Sequence, residues 1–369
     1  MPSATRAVIR RGLMLLIAYL ATIVLVAAVM EGTGYAQKLY EALVRESVSA
    51  EIQAIARARA GQTLSPTELE DLRRRLTFYY SVMYGLIDEQ GNPIPPYLRM
   101  WNLVKDSLML NFGYTTKDSV AQLANRLPPV PVIELIASVL PRTIIMITIA
   151  DLITIAIALK LGPRVAYRHG SLIDKIVIFY FALFNAIPLW WLAMLLIVLF
   201  AFQLRIFPPS LRGVLVYINN FWNDPVNNFL NIAYYAALPI LTIVIAGLGG
   251  WLYGIRAMVL RVIREDFVTV AKAKGLPEKE ITSKYVLRVA LPPVITSVIL
   301  ALAGSLGGFI ITESVFDWPG MGTLYYLAIT SGDTNTVMGL FVITVGVYVL
   351  ARFILELIYI MLDPRIRVR

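Results

Sequence analysis

Long apolar runs constrain this chain more than any other feature of its sequence. A run of about 18 or more residues with almost no charge is long enough to cross a bilayer as a helix. Six runs are near or above this length, and only the second holds a charge, at Asp151: Gly12 to Met30, Thr143 to Leu159, Ile176 to Leu204, Pro225 to Ile255, Val289 to Thr312 and Thr334 to Ala351. Charged residues are 15% of the chain, against roughly 25% in soluble domains. The sequence predicts an all-α integral membrane protein with six transmembrane helices.

Basic residues predict the orientation of these helices, because Lys and Arg concentrate in short cytoplasmic loops. Six spans place both termini on one side of the membrane. That side receives the basic residues of both tails, of the loop after the second span, and of the segment from Arg256 to Arg288. The short loops on the other side hold only Arg205 and Arg212. We therefore expect both termini in the cytoplasm, and the net charge of +9 needs no nucleic-acid partner.

The spans divide the chain into three predicted parts. Residues 1–31 form the N-terminal tail and first helix, which exceeds the usual apolar length of a cleaved signal peptide, about 7 to 15 residues, and is expected to be a permanent anchor. Residues 32–139 form an extracytoplasmic helical insertion. Residues 140–369 form a five-helix core that includes a cytoplasmic coupling loop at 256–290.

Local signals predict helices inside the insertion. The segment from Gln37 to Ala60 is periodic and rich in alanine, and Ser65-Pro66-Thr67-Glu68 has the form of a capping box that starts a helix running toward Tyr80. The residues from Asp88 to Pro93 are typical of a turn.

A third helix of the insertion shows an apolar face. Five residues recur three or four apart: Tyr97, Trp101, Val104, Leu108 and Phe112. This face fits a helix lying along the membrane interface and fits an ordinary packed surface helix equally well.

The cytoplasmic segment from Arg264 to Pro292 has the spacing of two helices that meet at Gly275. Glycine adopts the left-handed conformation that ends a helix at little steric cost, and Pro277 suits the first turn of a following helix. Glu278 and Glu280 then fall in the opening turn, where the helix dipole favours carboxylates. A stiff helix, turn and helix of this kind is typical of an element offered to a soluble partner.

Several kinds of chemistry are excluded by the sequence itself. The chain has no cysteine, so disulfides, thiolate metal sites and cysteine nucleophiles are absent. His169 is the single histidine and is expected to be a solvated loop residue. The chain has no GxxxxGK[ST] motif, so it has no phosphate-binding loop of that type.

Four motifs carry a resemblance to a known family: LPRTI entering the second span, REDFVTVAKAKGL in the cytoplasmic segment, ITESVFDWPGMG after the fifth span, and LDPRIR at the C-terminus. From about Tyr97 onward, the chain resembles permease subunits of prokaryotic ABC importers of the dipeptide/oligopeptide class, specifically the first of two permease types. The segment from Glu31 to Ile94 is the part least covered by the resemblance.

The resemblance implies a function and a set of partners. It implies a type I importer-like permease in the prokaryotic plasma membrane that forms half of the translocation pathway for short peptides. The chain would be a transport subunit and not an enzyme. Its implied partners are a second homologous permease, two ATPase subunits that bind ATP and Mg²⁺, an extracytoplasmic substrate-binding protein and membrane lipid, with no cofactor on this chain.

The resemblance also implies that the Gly275 loop contacts an ATPase. The expected coupling residues are Glu265, Asp266, Phe267, Thr269, Ala271, Lys272, Ala273, Lys274, Gly275 and Leu276. Thr269 stands where importer loops in general have glutamate. Phe267 and Leu276 are expected to be apolar anchors, and the lysines are expected to contact either the ATPase or anionic lipid headgroups.

Residues inside the spans are candidates for the transport path. Asp151 is either a functional carboxylate or a packing residue, because an unpaired charge in the membrane is costly. Asn185 and Pro188 are expected to open or kink the third span, either around a cavity or as an ordinary proline kink. Glu313, within the resembling motif, is expected to act as a gate or partner contact.

Gly304 and Gly308 form a predicted small-residue face for helix packing. The face fits a seam with the second permease or a contact within this chain.

Three other functions are alternatives to peptide import. The same machinery could carry oligosaccharides, since relatives of this shape serve both. A proton-coupled secondary transporter is disfavoured by a single mid-membrane carboxylate and the absence of a clear inverted repeat. A membrane-anchored receptor or structural subunit would leave the Gly275 loop unexplained.

Overall fold

The computed structural model describes residues 2–58, 65–305 and 310–362. Two compact units make up the chain: a main unit, Met1–Gly12 with Tyr114–Arg369, and a second unit, Leu13–Gly113. This division differs from the predicted boundaries of 32 and 139. Most of the first helix belongs to the second unit, while the stretch 114–139 belongs to the main unit.

Four helices account for most of the second unit, the first of them beginning in the main unit: α1 Pro2–Gly32, α2 Tyr35–Ala58, α3 Pro66–Met83 and α4 Pro96–Leu108. The predicted capping box is present at the start of α3, where the Ser65 hydroxyl accepts from the Glu68 backbone and the Glu68 carboxylate accepts from the Ser65 backbone. The predicted turn is also present, closed by a bridge between Ile87 and Pro93.

The predicted apolar face of α4 is divided in the structure. Tyr97, Trp101 and Leu108 are exposed, whereas Val104 and Phe112 are buried. Four of the five residues share one face of α4, as predicted, but Val104 is buried at the edge of that face, and Phe112 lies beyond the end of the helix.

After the second unit, the main unit continues with a two-stranded antiparallel sheet, β1 Tyr114–Thr115 and β2 Val130–Pro131, in which Tyr114 pairs with Pro131. Twelve helices follow β1 in the described residues: α5 Asp118–Ala121, α6 Val132–Tyr167, α7 Leu172–Ala186, α8 Leu189–Ile197, α9 Val214–Asn219, α10 Pro225–Ile263, α11 Asp266–Ala273, α12 Glu278–Glu280, α13 Leu287–Ser305, α14 Ile310–Phe316, α15 Met321–Thr330 and α16 Thr334–Leu362. Short 3₁₀ turns lie at Gln122–Ala124 and Phe221–Asn223, and π turns lie at Val198–Gln203 and Ile281–Val286.

The six predicted spans are confirmed, the third as a broken one. Among the described residues, five helical stretches are long and apolar enough to cross a membrane: Val8–Gly32, Val132–Tyr167, Pro225–Ile263, Ile281–Ala301 and Thr334–Ile354. The third apolar run forms two helices, Leu172–Ala186 and Leu189–Gln203, at an angle of 94°. Counted as one bent span, this pair completes six.

Helices α6 and α10 form the centre of the main unit and contact one another along much of their length. Gly162 permits one close approach, because a Cβ there would lie 2.8 Å from the Ile255 side chain. Gly249 permits another, because a Cβ there would lie 2.9 Å from the Phe181 backbone of α7. Apolar clusters fill both ends of this bundle, one around Ile147 and Leu238 and the other around Ile255 and Val268.

Candidate functional site

The predicted coupling segment contains a helix with two distinct sides. Along α11, Val268 and Ala271 are buried in the apolar cluster that also contains Val259 and Ile281. The opposite side is open, with Phe267 38% and Val270 53% exposed. Helix α11 is therefore held firmly on its own bundle while it presents two apolar side chains outward.

Gly275 forms the predicted turn after α11. Its φ is +73°, and a Cβ would meet nothing within 4 Å, so the backbone conformation and not space calls for glycine. The Gly275 N–H donates to the Lys272 carbonyl at 2.9 Å, and the Leu276 N–H donates to the Ala271 carbonyl at 3.4 Å. These two bonds form a Schellman motif, which satisfies carbonyls at the helix end.

The second half of the coupling segment differs from the predicted separate helix. Glu278 and Glu280 lie in an opening helical turn, as predicted. That turn passes without a break through the π turn at Ile281–Val286 into α13. The segment that follows the Gly275 turn is therefore continuous with the fifth span.

The predicted coupling residues fall into two groups. Glu265, Asp266, Phe267, Thr269, Lys272, Ala273, Lys274 and Gly275 are exposed. Ala271 is buried, and Leu276 is partly buried where it packs against the chain's own cluster. The sequence predicted Leu276 as an apolar anchor and predicted no role for Val270. The outward position of Val270 could have been predicted from its spacing, because Phe267 and Val270 lie three apart on one helix face.

A buried ion pair lies behind the coupling segment. Arg256 of α10 contacts Asp174 of α7 through Nε to Oδ1 and through Nη2 to Oδ2, the latter at 2.9 Å. The Asp174 carboxylate also accepts from the Gly170 N–H at 2.8 Å, and His169 Nδ1 lies 3.1 Å away. His169 is exposed in its loop, as expected, and its ring also contacts this pair.

This pair ties the start of the broken span to α10, the helix that leads into α11. No sequence motif had singled out Asp174 or Arg256, because they lie 82 positions apart in the chain.

The predicted break in the third span lies between Ala186 and Leu189. Pro188 has φ −60° and ψ 135° and stands immediately before α8, where its missing N–H removes no helical bond. Asn185 lies in the last turn of α7. Trp190 and Trp191 follow and are partly exposed.

Asp151 lies near the middle of α6. It shares a helix face with the buried residues Ala158 and Gly162, seven and eleven positions on. Asp151 itself is only partly buried. The carboxylate therefore lies on the side of α6 that faces the bundle and is not fully covered there.

Glu313 is 1% exposed and lies in a polar cluster. Its carboxylate accepts from the Gly322 N–H at 2.9 Å and from the Thr143 hydroxyl at 3.2 Å. The Thr143 oxygen in turn accepts from the Met321 N–H at 2.7 Å. Unpaired N–H groups and the helix dipole favour an anion at the N-terminus of a helix. At the N-terminus of α15, one carboxylate and one hydroxyl accept hydrogen bonds from these N–H groups.

The same cluster joins two motifs that were separate in the sequence. Arg142 of LPRTI donates to the Pro319 carbonyl at 3.1 Å and to the Leu123 carbonyl at 2.7 Å. Gly320 has no room for a side chain, because a Cβ would overlap Glu313 and Thr143 and would lie 2.9 Å from Trp318. LPRTI and WPGMG therefore form one packed site, which we call the loop clamp.

Asp317 fixes the other side of the loop clamp. Its carboxylate accepts from Arg212 Nη2 and from the Ser210 hydroxyl, each at 2.8 Å. The Leu211 N–H donates to the Phe316 carbonyl at 3.1 Å. The sequence predicted Arg212 only as a basic residue of a short loop.

The predicted glycine face can be followed only in part. Gly304 lies in the last turn of α13, and the surroundings of its side are not described. Gly308 lies outside the described residues, as does most of the LDPRIR motif.

A bundle of apolar helices with the length to cross a membrane, one of them broken in mid-span, defines a multi-pass membrane protein. Residues 152–368 match the family described as binding-protein-dependent transport system inner membrane component. The chain belongs to this family. It is a transport subunit and not an enzyme, and ATP hydrolysis takes place in partner subunits.

Curated relatives agree with this assignment. The chain is 30% identical over 236 residues to the oligopeptide transport system permease protein AppB of Bacillus subtilis, covering 64% of this chain and 72% of the relative. It is 29% identical over 328 residues to the probable D,D-dipeptide transport system permease protein DdpB of Escherichia coli, covering 84% and 88%. It is 30% identical over 237 residues to the di/tripeptide transport system permease protein DppB of Pseudomonas aeruginosa, covering 62% and 70%.

The match to DdpB spans 84% of this chain, so it includes residues that precede the family match at 152. The similarity to permeases therefore extends beyond the core that the family defines.

Proposed function

We propose that this chain forms half of the pathway through which an ATP-driven importer takes up short peptides. Family membership implies ATPase and binding-protein partners. The peptide class is supported by relatives named as oligopeptide, dipeptide and di/tripeptide permeases. No observation favours the oligosaccharide alternative, and the family does not favour a proton-coupled carrier.

The observation that carries the coupling role is the two-sided α11. Val268 and Ala271 attach the helix to its own bundle, and Phe267 with Val270 faces outward as an apolar knob. An ATPase groove that receives this knob would move the helix as a rigid body. Lys272, Lys274, Glu265 and Asp266, all exposed, would set the electrostatic fit around the knob.

The complete complex in this proposal contains a second homologous permease, two ATPase subunits and an extracytoplasmic substrate-binding protein. ATP and Mg²⁺ bind to the ATPase subunits. Both termini and the Gly275 turn lie in the cytoplasm of a prokaryotic cell, in agreement with the positions of the basic residues. The loop clamp then lies at the opposite side of the membrane, since it contacts the beginning of α6 and the coupling segment packs near its end.

The proposed transport path uses the irregular parts of the bundle. Asp151 offers a partly uncovered carboxylate on the inner side of α6, and the break between Asn185 and Pro188 exposes backbone that a water-filled path would solvate. Glu313 acts in this proposal as a positioning residue that keeps the loop clamp closed at the far end of the path.

Replacement of the apolar knob tests the coupling role. Phe267→Asp combined with Val270→Asp should abolish copurification of the ATPase subunits and peptide uptake, while the permease still inserts into the membrane. Val216→Asp, at a comparably exposed valine in α9, is the matched control and should leave both intact. Retained copurification and uptake in the double variant would refute α11 as the docking element.

A further inference from the structure

Helix α4 of the second unit buries a charged side chain and exposes large apolar and aromatic ones. Its buried residues are Arg99, Val104 and Ser107, and Arg99 lies almost opposite Trp101 on the helix. Its exposed side holds Tyr97 and Trp101, 66% and 62% exposed, together with Leu108. At about 100° per residue, these three side chains lie within roughly 40° of one another, and the buried Val104 lies at the edge of this arc that is nearer to Ser107. Because α4 buries a guanidinium and exposes aromatic side chains, we expect its exposed side to contact something less polar than water.

A buried ion pair fixes the position of α4 relative to the first span. Arg99 Nε lies 2.8 Å from Glu31 Oε2, and the two side chains are 8% and 4% exposed. The same guanidinium donates to the Ile94 carbonyl at 3.1 Å and contacts Gln37 Oε1 at 3.4 Å. Because both charges are buried and satisfied, this contact is costly to break.

Glu31 stands at the end of the span Val8–Gly32. A helix of that length measures about 37 Å at 1.5 Å per residue, somewhat more than the roughly 30 Å hydrocarbon core. Glu31 therefore lies near the boundary between hydrocarbon and headgroups. Through Arg99, α4 is held at the same depth.

The composition of the exposed side matches that boundary. Tyrosine and tryptophan are enriched at membrane interfaces, where the ring enters the apolar layer and the polar atom stays hydrated. Lys105 lies on the same exposed side. Its long aliphatic stem can pass beside Trp101 and Leu98 while the ammonium reaches the phosphates.

We infer that α4 is an interfacial anchor: its Tyr97, Trp101 and Leu108 side inserts into the headgroup region of the bilayer at the Glu31 end of the first span. The occupant of this apolar side is lipid. The anchor holds the second unit at a fixed depth against the membrane surface. Its leaflet, on the orientation proposed above, is the extracytoplasmic one.

The absence of cysteine from the chain makes a direct test possible, because a single introduced cysteine can carry a spin label. Trp101→Cys and Leu108→Cys are labelled in the full chain, reconstituted in phosphatidylethanolamine and phosphatidylglycerol vesicles. Collisions with oxygen, which dissolves in lipid, are compared with collisions with a water-soluble nickel chelate. Arg73→Cys, at an exposed position on α3, is the aqueous control, and Val104→Cys is the buried control.

Both α4 labels should collide preferentially with oxygen, and the Arg73→Cys label should collide preferentially with nickel. Preferential nickel collision at Trp101→Cys and Leu108→Cys would show a side open to water and overturn the inference. Shielding from both reagents, as at Val104→Cys, would show that protein covers the helix and would equally overturn it.

A second measurement keeps the native Trp101. In a variant with the other five tryptophans replaced by phenylalanine, lipids brominated near the headgroup should quench Trp101 fluorescence. Unchanged fluorescence would contradict the insertion. Neither readout depends on transport, so the inference and the proposed peptide import can fail separately.

Discussion

Single residues in this permease act where backbones meet closely or where charge is buried. The loop clamp depends on Gly320, because any side chain there would enter the space of Glu313 and Thr143. The ion pair behind the coupling segment depends on both Asp174 and Arg256, which are nearly inaccessible. At these positions, the addition of one atom or the removal of one charge should lower the stability of the fold.

Gly320→Ala should destabilise the main unit by about 1–3 kcal/mol, the usual cost of overpacking a tight site. The measurement is resistance to unfolding in mixed detergent and dodecyl sulfate. Gly250→Ala is the control, because a Cβ there meets nothing within 4 Å. Equal stability of both variants would contradict the close packing of the loop clamp.

Asp174→Asn should cost about 3–5 kcal/mol, because it leaves the Arg256 guanidinium buried without its counter-charge. The same unfolding assay applies. Glu280→Gln removes the partner of Lys284 in an exposed pair of 2.8 Å and should cost less than about 1 kcal/mol. A comparable loss in the two variants would argue against a buried pair at Asp174.

The Tyr80 hydroxyl should lose its proton at a higher pH than an ordinary tyrosine does. Its hydroxyl donates to the Glu51 carboxylate, and this hydrogen bond, with burial and the nearby charge, raises the pKa of Tyr80 to about 12. A raised folded pKa means that the stabilising contribution is complete below about pH 10, the usual tyrosine value, and is lost as pH rises through 12.

Tyrosinate absorbance of the wild type minus that of Tyr80→Phe should show this late midpoint. The substitution Glu51→Gln should lower this midpoint toward the usual tyrosine pKa of about 10. A midpoint that stays near 12 in Glu51→Gln would show that the hydrogen bond is not the cause.

At the scale of elements, the coupling segment combines a short helix, a left-handed turn and a continuous helix into the fifth span. The turn is defined by the φ of Gly275 and by its hydrogen bond to Lys272. In the proposed coupling role, this turn must keep α11, which carries the outward knob, at a fixed angle to α13. Coupling should therefore be more sensitive to the turn than membrane insertion is.

Gly275→Pro should leave membrane insertion intact and abolish ATP-dependent uptake. Proline has φ near −65° and no N–H, so it can neither adopt the turn nor donate to Lys272. Gly275→Asn is the matched variant, because asparagine tolerates the left-handed region, and it should retain most uptake. Normal uptake by Gly275→Pro would refute the coupling assignment.

At the scale of the whole molecule, the distribution of charge predicts the orientation that the proposed coupling role requires. The prediction is tested with single cysteines and a membrane-impermeant maleimide applied to intact cells. Trp222→Cys, at a side chain 86% exposed beside the start of α10, should react. Lys274→Cys should react only after the cells are opened. The reverse pattern would place the coupling segment outside and exclude docking to a cytoplasmic ATPase.

The sequence predicted the elements that depend on local chemistry. Apolar length predicted the six spans, the Ser65 and Glu68 pair predicted the start of α3, and Gly275 with Pro277 predicted the turn and the helix after it. These signals are local because a helix, a cap or a left-handed turn is decided by residues within a few positions of one another.

The tertiary structure decided which side chains face outward and which distant residues meet. Only packing showed that Leu276 turns into its own core while Val270 faces out, and that Val104 is buried while Trp101 is exposed. Only the fold brought Thr143 to Glu313, Asp174 to Arg256 and Arg99 to Glu31. The sequence shows that charged side chains lie among apolar residues and therefore need hydrogen-bonding or ionic partners when they are buried. Which residue becomes the partner depends on how helices far apart in sequence pack together.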